Sequence, residues 1–384
     1  MNNMFIPAPA TLGMLGGGQL GRYFVMAAHE LGYQVWVLDP DEDSPAGRIA
    51  DRHLCAAYDE PTALAELAAG CSAVTTEFEN VPAETLAILA EQVSVHPSAA
   101  AVSVCQDRIA EKTFLKTHGL PHGPFAEINT LEDLQSAPAH LFPGILKAAR
   151  LGYDGKGQAV VDDRAAAEAA WVELGCVRCI LEAKLPLDYE ISVVLARSQD
   201  GTVKTFPSAE NRHRNGILDV SVVPAWGSVC VTDNACSVAE KLAGCLGYVG
   251  TLGVEFFVSR GQLVVNEMAP RPHNSGHYTI DACATNQFQQ QVRALCGLPL
   301  GDGRAHSAAV MINLLGDLWF DGSQQREPDW ASLLAIPGLC LHLYGKQSPR
   351  SGRKMGHFTV IGEDTESVYA RAMHARKILG LPDA

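Results

Sequence analysis

The segment Gly253-Val-Glu-Phe-Phe-Val-Ser-Arg-Gly-Gln-Leu-Val-Val-Asn-Glu-Met-Ala-Pro-Arg271 decides how this chain is read. Two β-rich runs, Val254–Val258 and Leu263–Asn266, flank Ser259-Arg260-Gly261, a turn carrying the glycine that tight hairpins favour. Antiparallel pairing brings Glu255 and Glu267 onto one face. Two acids at otherwise apolar strand ends are costly to bury unless a partner or a cation takes up their charge. Two carboxylates beside the amide of Asn266 suit Mg²⁺, a hard ion that takes oxygen ligands and shares its shell with phosphate. An ion pair with Arg271 is the other reading of the same acids.

Upstream, Lys147 ends a strand candidate, Gly144–Ala148, that runs into Gly152-Tyr153-Asp154-Gly155-Lys156-Gly157-Gln158. Flexible glycines can fold over a triphosphate while lysines neutralise it. A Walker A loop needs GxxxxGK[ST] leading into a helix, and this stretch is not one. A solvated turn is the plain alternative. Further upstream stands Gly16-Gly17-Gly18-Gln19-Leu20-Gly21, a GxGxxG between a strand (Thr11–Gly16) and a helix (Gln19–Leu31). Asp39 closes the next strand, 18 residues beyond Gly21, where a dinucleotide fold carries its ribose-binding acid. Alone, that pair describes an NAD-dependent enzyme; close strand–helix packing also demands such glycines.

Around these motifs the chain changes character twice. Over the first hundred residues, apolar runs alternate with helices, the pattern of βαβ units and a doubly wound parallel sheet. From about residue 120, short strand candidates outnumber helices, among them Gln158–Val161, Arg178–Glu182, Glu190–Ala196 and Leu218–Pro224, which reads as α+β with antiparallel sheets. Past Gly297–Gly301 come strands at His306–Leu314, Leu339–Tyr344 and Gly356–Gly362, then a helix at Thr365–Leu379. Three domains are expected, 1–105, 106–299 and 300–384, with 120–190 as a mobile part of the second.

With 384 residues, 47% of them hydrophobic and 19% charged, the chain has globular composition. A net charge of −14 is unfavourable for a general nucleic-acid binder, though not for a local anion site. The start lacks a basic, then apolar, leader, and no apolar run reaches membrane-spanning length. Eleven scattered cysteines fit reduced thiols in a cytoplasmic protein. Cys176 and Cys179 form a lone CxxC, read as a buried structural pair rather than zinc ligands.

Together these motifs resemble the ATP-grasp superfamily of ligases, and within it the enzymes that carboxylate 5-aminoimidazole ribonucleotide in purine biosynthesis. The resemblance spans essentially the whole chain, through Gly16–Arg22, Thr75–Pro82, Gln106–Arg108, Gly152–Gln158, Glu210–Leu218, Asn266–His277, Tyr344–Lys346 and Arg353–His357. One departure is the insertion of Pro186-Leu187-Asp188-Tyr189 between the adenine hinge and Glu190.

The resemblance implies a division of labour. Arg108 and Lys147 contact the nucleotide phosphates, and Gly152–Gln158 forms the lid. Glu182, Ala183, Lys184 and Leu185 hold adenine, and Glu190 holds the ribose. His213 and Asn266 complete the nucleotide site, and Glu255 and Glu267 bind Mg²⁺. Arg271, Lys346, Arg353 and Lys354 meet the ribonucleotide phosphate, with His273, Asn274 and Ser275 in support and Gln19 and Glu77 on the opposite wall. Tyr153, Asp154 and Lys156 approach the reacting amine. ATP and bicarbonate are the co-substrates, and a homodimer is expected. A formate-dependent glycinamide ribonucleotide transformylase is the near rival within the superfamily. An NAD-dependent oxidoreductase is the rival of a different class, but it leaves Gly152–Gln158 and Glu255/Glu267 without a role.

Overall fold

The computed structural model describes residues 5–150, 152, 157–322 and 324–382. Its first region is a five-stranded parallel sheet in the order Arg52–Leu54, Gln34–Leu38, Thr11–Leu15, Ala73–Thr76, Ser94–Val95. Parallel neighbours need crossovers, and helices Gln19–Glu30, Pro61–Gly70 and Ala83–Ala90 provide three of them. The central strand reads as an unbroken apolar run because both its faces are covered; Leu12 and Leu15 are fully buried.

The second region holds a four-stranded antiparallel sheet ordered Phe125–Ile128, Cys179–Ala183, Gly144–Ala148, Gln158–Val161. Helices Leu131–Ser136 and Arg164–Glu173 back it, burying Leu134 and Ala167 against Leu146 and Leu181. Both helices start on side-chain caps, Thr130 in a capping box with Asp133 and Asp163 on Ala166 N–H.

A nine-stranded sheet carries the rest. Its order is Gln262–Ala269, Gly250–Ser259, Tyr189–Arg197, Ala209–Arg214, Ile217–Val223, Ala308–Leu315, Lys354–Gly362, Leu339–Leu343, with Val203–Thr205 added on Tyr189–Arg197. All its pairs are antiparallel, and Val220 opposite Ile312 makes it continuous from the second region into the third. Bulges interrupt it at Arg212/His213, Glu255/Phe256 and Leu314/Leu315. The hairpin at 259–261 turns through Arg260 (φ 51) and Gly261 (φ 72), both left-handed as a type I′ turn requires. Helix Val229–Cys245 packs Ala235, Ala239 and Leu242 on the sheet's Ile191 and Val254. Helix Thr365–Leu379 packs Val368, Ala372 and Ala375 on Val310 and Phe358.

Among the elements not foreseen from the sequence are the strand Ala209–Arg214 and the helix Gln287–Leu295. Both are polar in sequence yet largely covered. The CxxC reading needs correction. Cys179 is buried in its strand, whereas Cys176 is exposed, at φ 53 just beyond a helix, so the two do not form a buried pair. All eleven cysteines are free thiols.

Candidate active site

Strand register places the acids. Glu255 lies opposite Glu267 on one neighbouring strand and opposite Ser192 on the other. Two positions along, Glu190 lies opposite Asn211, which lies opposite Ser221. Alternation puts Glu190 and Ser192 on the same face, so two polar rows cross the sheet side by side. Arg271 does not neutralise these acids; it pairs with Glu79. Glu267 instead accepts from Arg108 Nη1 at 3.3 Å, and Glu255 from Asn266 Nδ2 at 3.4 Å. Burial, and then the charge of Glu267, push the Glu255 carboxyl up to about 7.

Helix Arg108–Thr117 links this face to the four-stranded sheet. Lys112 donates to the carbonyls of Val265 (3.1 Å) and Asn266 (2.6 Å), and lies 3.9 Å from Glu182. Lys147 donates to Glu182 Oε2 at 3.2 Å. Burial lowers the Lys147 pKa in spite of that acid. Burial opposes the charge of Glu182, but Lys112, Lys147 and Arg108 outweigh it and hold the carboxyl low. The other oxygen of Glu182, Oε1, is buried without a partner among the described residues. Neither Lys112 nor its neighbour Glu111, whose Oε1 accepts from Met268 N–H, was singled out from the sequence. Their i-to-i+1 spacing carries no site signal.

At the hinge, Ala183 N–H donates to Pro124 O and Lys184 N–H to Pro143 O. Neither of these backbone N–H groups is therefore available to a base. Leu185 is half-buried. His213 Nδ1 lies 2.8 Å from Glu190. Burial works against a charged imidazole there, but Glu190, Glu255 and Glu267 outweigh it and raise its pKa. Gly152 accepts from Arg108 Nη2 at 3.3 Å, and Gly157 (φ 70) accepts from Ala148 N–H as Gln158 opens the returning strand. Tyr153, Asp154, Gly155 and Lys156 lie outside the described residues.

The first region forms another wall. Its glycine loop binds carboxylates of its own chain: Gly17 N–H donates to Asp39 (2.6 Å), Gly18 N–H and Gly21 N–H to Glu77 (2.6 and 3.1 Å). A Cβ on Gly17 would meet Ser44 at 2.5 Å, and one on Gly18 would meet Glu77 at 2.6 Å, which explains the glycines. Asp39 also accepts from Tyr58. The donors and the acid that a dinucleotide would require are thus engaged within the chain, contrary to the oxidoreductase reading. Gln19 starts the following helix and accepts from Lys346 Nζ at 2.8 Å across 327 residues of chain. Burial, reinforced by Arg353, lowers the Lys346 pKa to about 8. Lys346 donates also to Lys354 O, and Arg353 to Ser348 O. A cleft between the regions is lined by Glu79, Gln106, Arg108, Glu111, Arg150 and Arg271.

His273, Asn274 and Ser275 are all buried beside these groups. Among the described residues the Asn274 amide has no partner on either atom, as expected of a group shaped to meet a ligand. His273 Nε2 lies 3.3 Å from Glu255. Burial, then Arg271 and Lys354, push that imidazole down to about 3, so it meets Glu255 as a neutral ring. Ser275 is fully buried and bonded to Ser192 and His273. A second cluster, Asp281, His342 and His357, has ligand atoms within 4.8 Å of one another. The rings of His342 and His357 stack at 4.6 Å and 16°, so their in-plane lone pairs do not converge on one point.

Two antiparallel sheets, one bearing Lys147 and Glu182 and the other Glu255 and Glu267, with a cation-lined wall beyond, define an ATP-grasp ligase. Family models agree: an ATP-grasp domain matches residues 113–288, a ribonucleotide synthetase preATP-grasp domain 9–106, and a phosphoribosylaminoimidazole carboxylase C-terminal domain 309–371. The chain belongs to the N5-carboxyaminoimidazole ribonucleotide synthase family. It is 45% identical over 366 residues to the Brucella melitensis N5-carboxyaminoimidazole ribonucleotide synthase, covering 94% of this chain and 99% of that one. The Bacillus subtilis synthase is 40% identical over 361 residues, covering 94% and 93%. An ADP complex of an N5-carboxyaminoimidazole ribonucleotide synthetase superposes with a TM-score of 0.92 at 39% identity over 99% of each chain. The Aspergillus clavatus enzyme, in complex with ADP and 5-aminoimidazole ribonucleotide, gives 0.88 at 30% identity over 97% of this chain and 99% of that one.

Proposed function

We propose that this ligase couples ATP cleavage to carboxylation of 5-aminoimidazole ribonucleotide by bicarbonate, giving N5-carboxyaminoimidazole ribonucleotide, ADP and phosphate in purine biosynthesis. The observation that carries the reading is the facing pair Glu255 and Glu267, set against Arg108, Lys147 and Glu182 of the nucleotide wall. The pair fits Mg²⁺: both ligands are hard oxygens, and the Glu255 carboxyl, raised to about 7 by burial and Glu267, gains most from a cation. Bound there, Mg²⁺ would offset charge on the transferring phosphoryl group.

In the first step an oxygen of bicarbonate bonds to the γ-phosphorus as the β–γ bridging bond breaks, yielding carboxyphosphate and ADP. Lys147 and Arg108 hold the phosphates in line, and Glu182 and Glu190 hold the nucleoside. In the second, the exocyclic amine of the ribonucleotide bonds to the carboxyl carbon, directly or after CO₂ release, and phosphate departs. Asp154 orients or deprotonates that amine, with Tyr153 and Lys156 beside it. Lys346, Arg353 and Lys354 fix the ribonucleotide phosphate; Asn274 and His273 face its base, and Gln19 and Glu77 close the opposite wall.

The working division of the chain is 1–105, 106–299 and 300–384, acting as a homodimer in the cytoplasm. Sedimentation showing only a 41.0 kDa species at micromolar concentration would refute the dimer. ADP release tests the chemistry. It should require aminoimidazole ribonucleotide with bicarbonate, and release driven instead by glycinamide ribonucleotide with formate would overturn the assignment.

A further inference from the structure

A chain of buried polar groups runs from the middle of the large sheet to Glu255. Ser221 Oγ donates to Asn211 Oδ1 (2.7 Å), and Asn211 Nδ2 donates to Ser192 Oγ (2.8 Å). Ser192 Oγ donates to Ser275 Oγ (2.7 Å), which lies 2.8 Å from His273 Nδ1. The backbone N–H of Ser275 also points at that nitrogen, at 3.3 Å. Each member is at most 7% exposed, so water does not compete for these bonds.

The direction of donation follows from counting protons. Asn211 uses an amide hydrogen on Ser192, so the Ser192 hydroxyl proton goes on to Ser275. The Ser275 proton is then left for His273. A ring nitrogen that receives an O–H and an N–H is an acceptor, so the single proton of the neutral ring sits on Nε2. That atom is the one 3.3 Å from Glu255 Oε1. The ring is also held from below: a Cβ on Gly253 would come within 2.6 Å of His273 Cβ, so glycine there lets the imidazole lie on the strand beside Glu255.

We propose that Ser275, Ser192 and Asn211 are positioning residues, a one-way relay that fixes the Nε2–H tautomer of His273 and thereby aims Glu255 at the divalent cation. None of the three needs to touch ATP or the ribonucleotide. This inference rests on the reading of Glu255 as a metal ligand. It also reassigns Ser275 from the substrate to the support of His273.

The test uses the full-length protein with Mn²⁺ as probe and ADP present. Free Mn²⁺ is followed by electron paramagnetic resonance, and the His273 tautomer by ¹⁵N chemical shifts. Ser275→Ala should shift His273 toward a mixture of tautomers and weaken Mn²⁺ binding by about tenfold, the lower end of what loss of a ligand's supporting bond costs. Ser192→Ala should act in the same direction but less, and Ser192→Thr should restore both signals. Glu255→Gln serves as the reference. If it leaves Mn²⁺ affinity unchanged, the metal reading fails. If it weakens binding while Ser275→Ala changes neither tautomer nor affinity, the relay is wrong and the metal reading stands. A fall in melting temperature without movement of either signal would assign the serines to packing alone and also overturn the relay.

Discussion

Glu255 and Lys346 are each held away from their ordinary protonation by the surroundings that make them useful. For Glu255 the folded pKa is raised from 4.5 to about 7, so the folded chain binds more protons than the unfolded one between those values. Stability contributed at this position therefore falls as pH rises from 4.5 to 7 and stays low above it. Glu255→Gln removes that cost. In metal-free protein it should raise the melting temperature at pH 8, with the gain shrinking on acidification and vanishing near pH 4.5, as calorimetry across pH would read. An equal gain at every pH would mean that the buried charge of Glu255 is not the cause. For Lys346, burial lowers the pKa from 10.5 to about 8. A phosphate held by this ammonium should bind less well as pH climbs through 8. Lys346→Ala removes a charge-assisted bond of about 1.5–3 kcal/mol, so the ribonucleotide requirement should rise roughly tenfold to over a hundredfold. ATP affinity measured without ribonucleotide should hold steady, and a parallel loss would move Lys346 to the nucleotide site.

At the scale of elements, what the sequence shows depends on whether a segment is covered by apolar or polar neighbours. The hairpin around Ser259-Arg260-Gly261 is legible because apolar alternation and a glycine turn coincide, and its acids fall where alternation puts them. Helix Gln287–Leu295 is not, because Gln287, Gln290 and Gln291 resemble a solvated face. All three are fully buried, their amides standing in for backbone partners: Gln291 accepts from Thr251 N–H and donates to Thr75, and Gln287 both accepts from His273 N–H and donates to its carbonyl. The strand Ala209–Arg214 hides for a related reason, since its polar alternation lines the site rather than the core. Site motifs were easier to see than their supports. Glu79, Lys112, Ser192 and Asn211 complete the charges and bonds of the named residues, but their partners are 192, 70, 83 and 19 positions away. Gly253 gives an element-level test. Gly253→Ala places a Cβ against that of His273 inside a packed sheet, so stability should fall by about 1–3 kcal/mol, the usual range for overpacking. An unchanged denaturation midpoint would show that the ring has room to retreat.

For the whole molecule, the third region is an extension of the second region's sheet rather than a separate body. A chain ending at residue 299 would strip Ala308–Leu315 from Ile217–Val223 and bare Val220 and Val222, which are fully buried. Such a chain should aggregate and show no cooperative unfolding, because an unpaired apolar edge recruits other chains. A soluble fragment with an intact transition would mean that the sheet tolerates division there. The three-part reading set a boundary near residue 300 and held no sign of this continuity, which arises from strand pairing between segments about ninety residues apart.

The bulges in that sheet bear on how far apart the two substrates sit. From the strand of Glu255 to the strand of Lys354 is five lateral steps, roughly 24 Å if the sheet lay flat. Yet the segment that follows the Glu267 strand spans that distance: His273 packs on Gly253 of the Glu255 strand, and the ring of His277, four residues on, lies 4.7 Å from that of His357 on the Lys354 strand. That segment runs across the face of the sheet, its turn Asn274–Gly276 touching Tyr189–Arg197, Ala209–Arg214 and Ile217–Val223 on the way. Bulges sharpen twist, and all three fall beside groups of the site: His213, Glu255, and Leu315 opposite Lys354. The gap between ATP and the ribonucleotide is accordingly set by the twist of the sheet and by the segment that crosses it. Deleting the extra residue at either of two kinks, Asp219 or Met355, would ease that twist and part the substrates while leaving every side chain assigned to them in place.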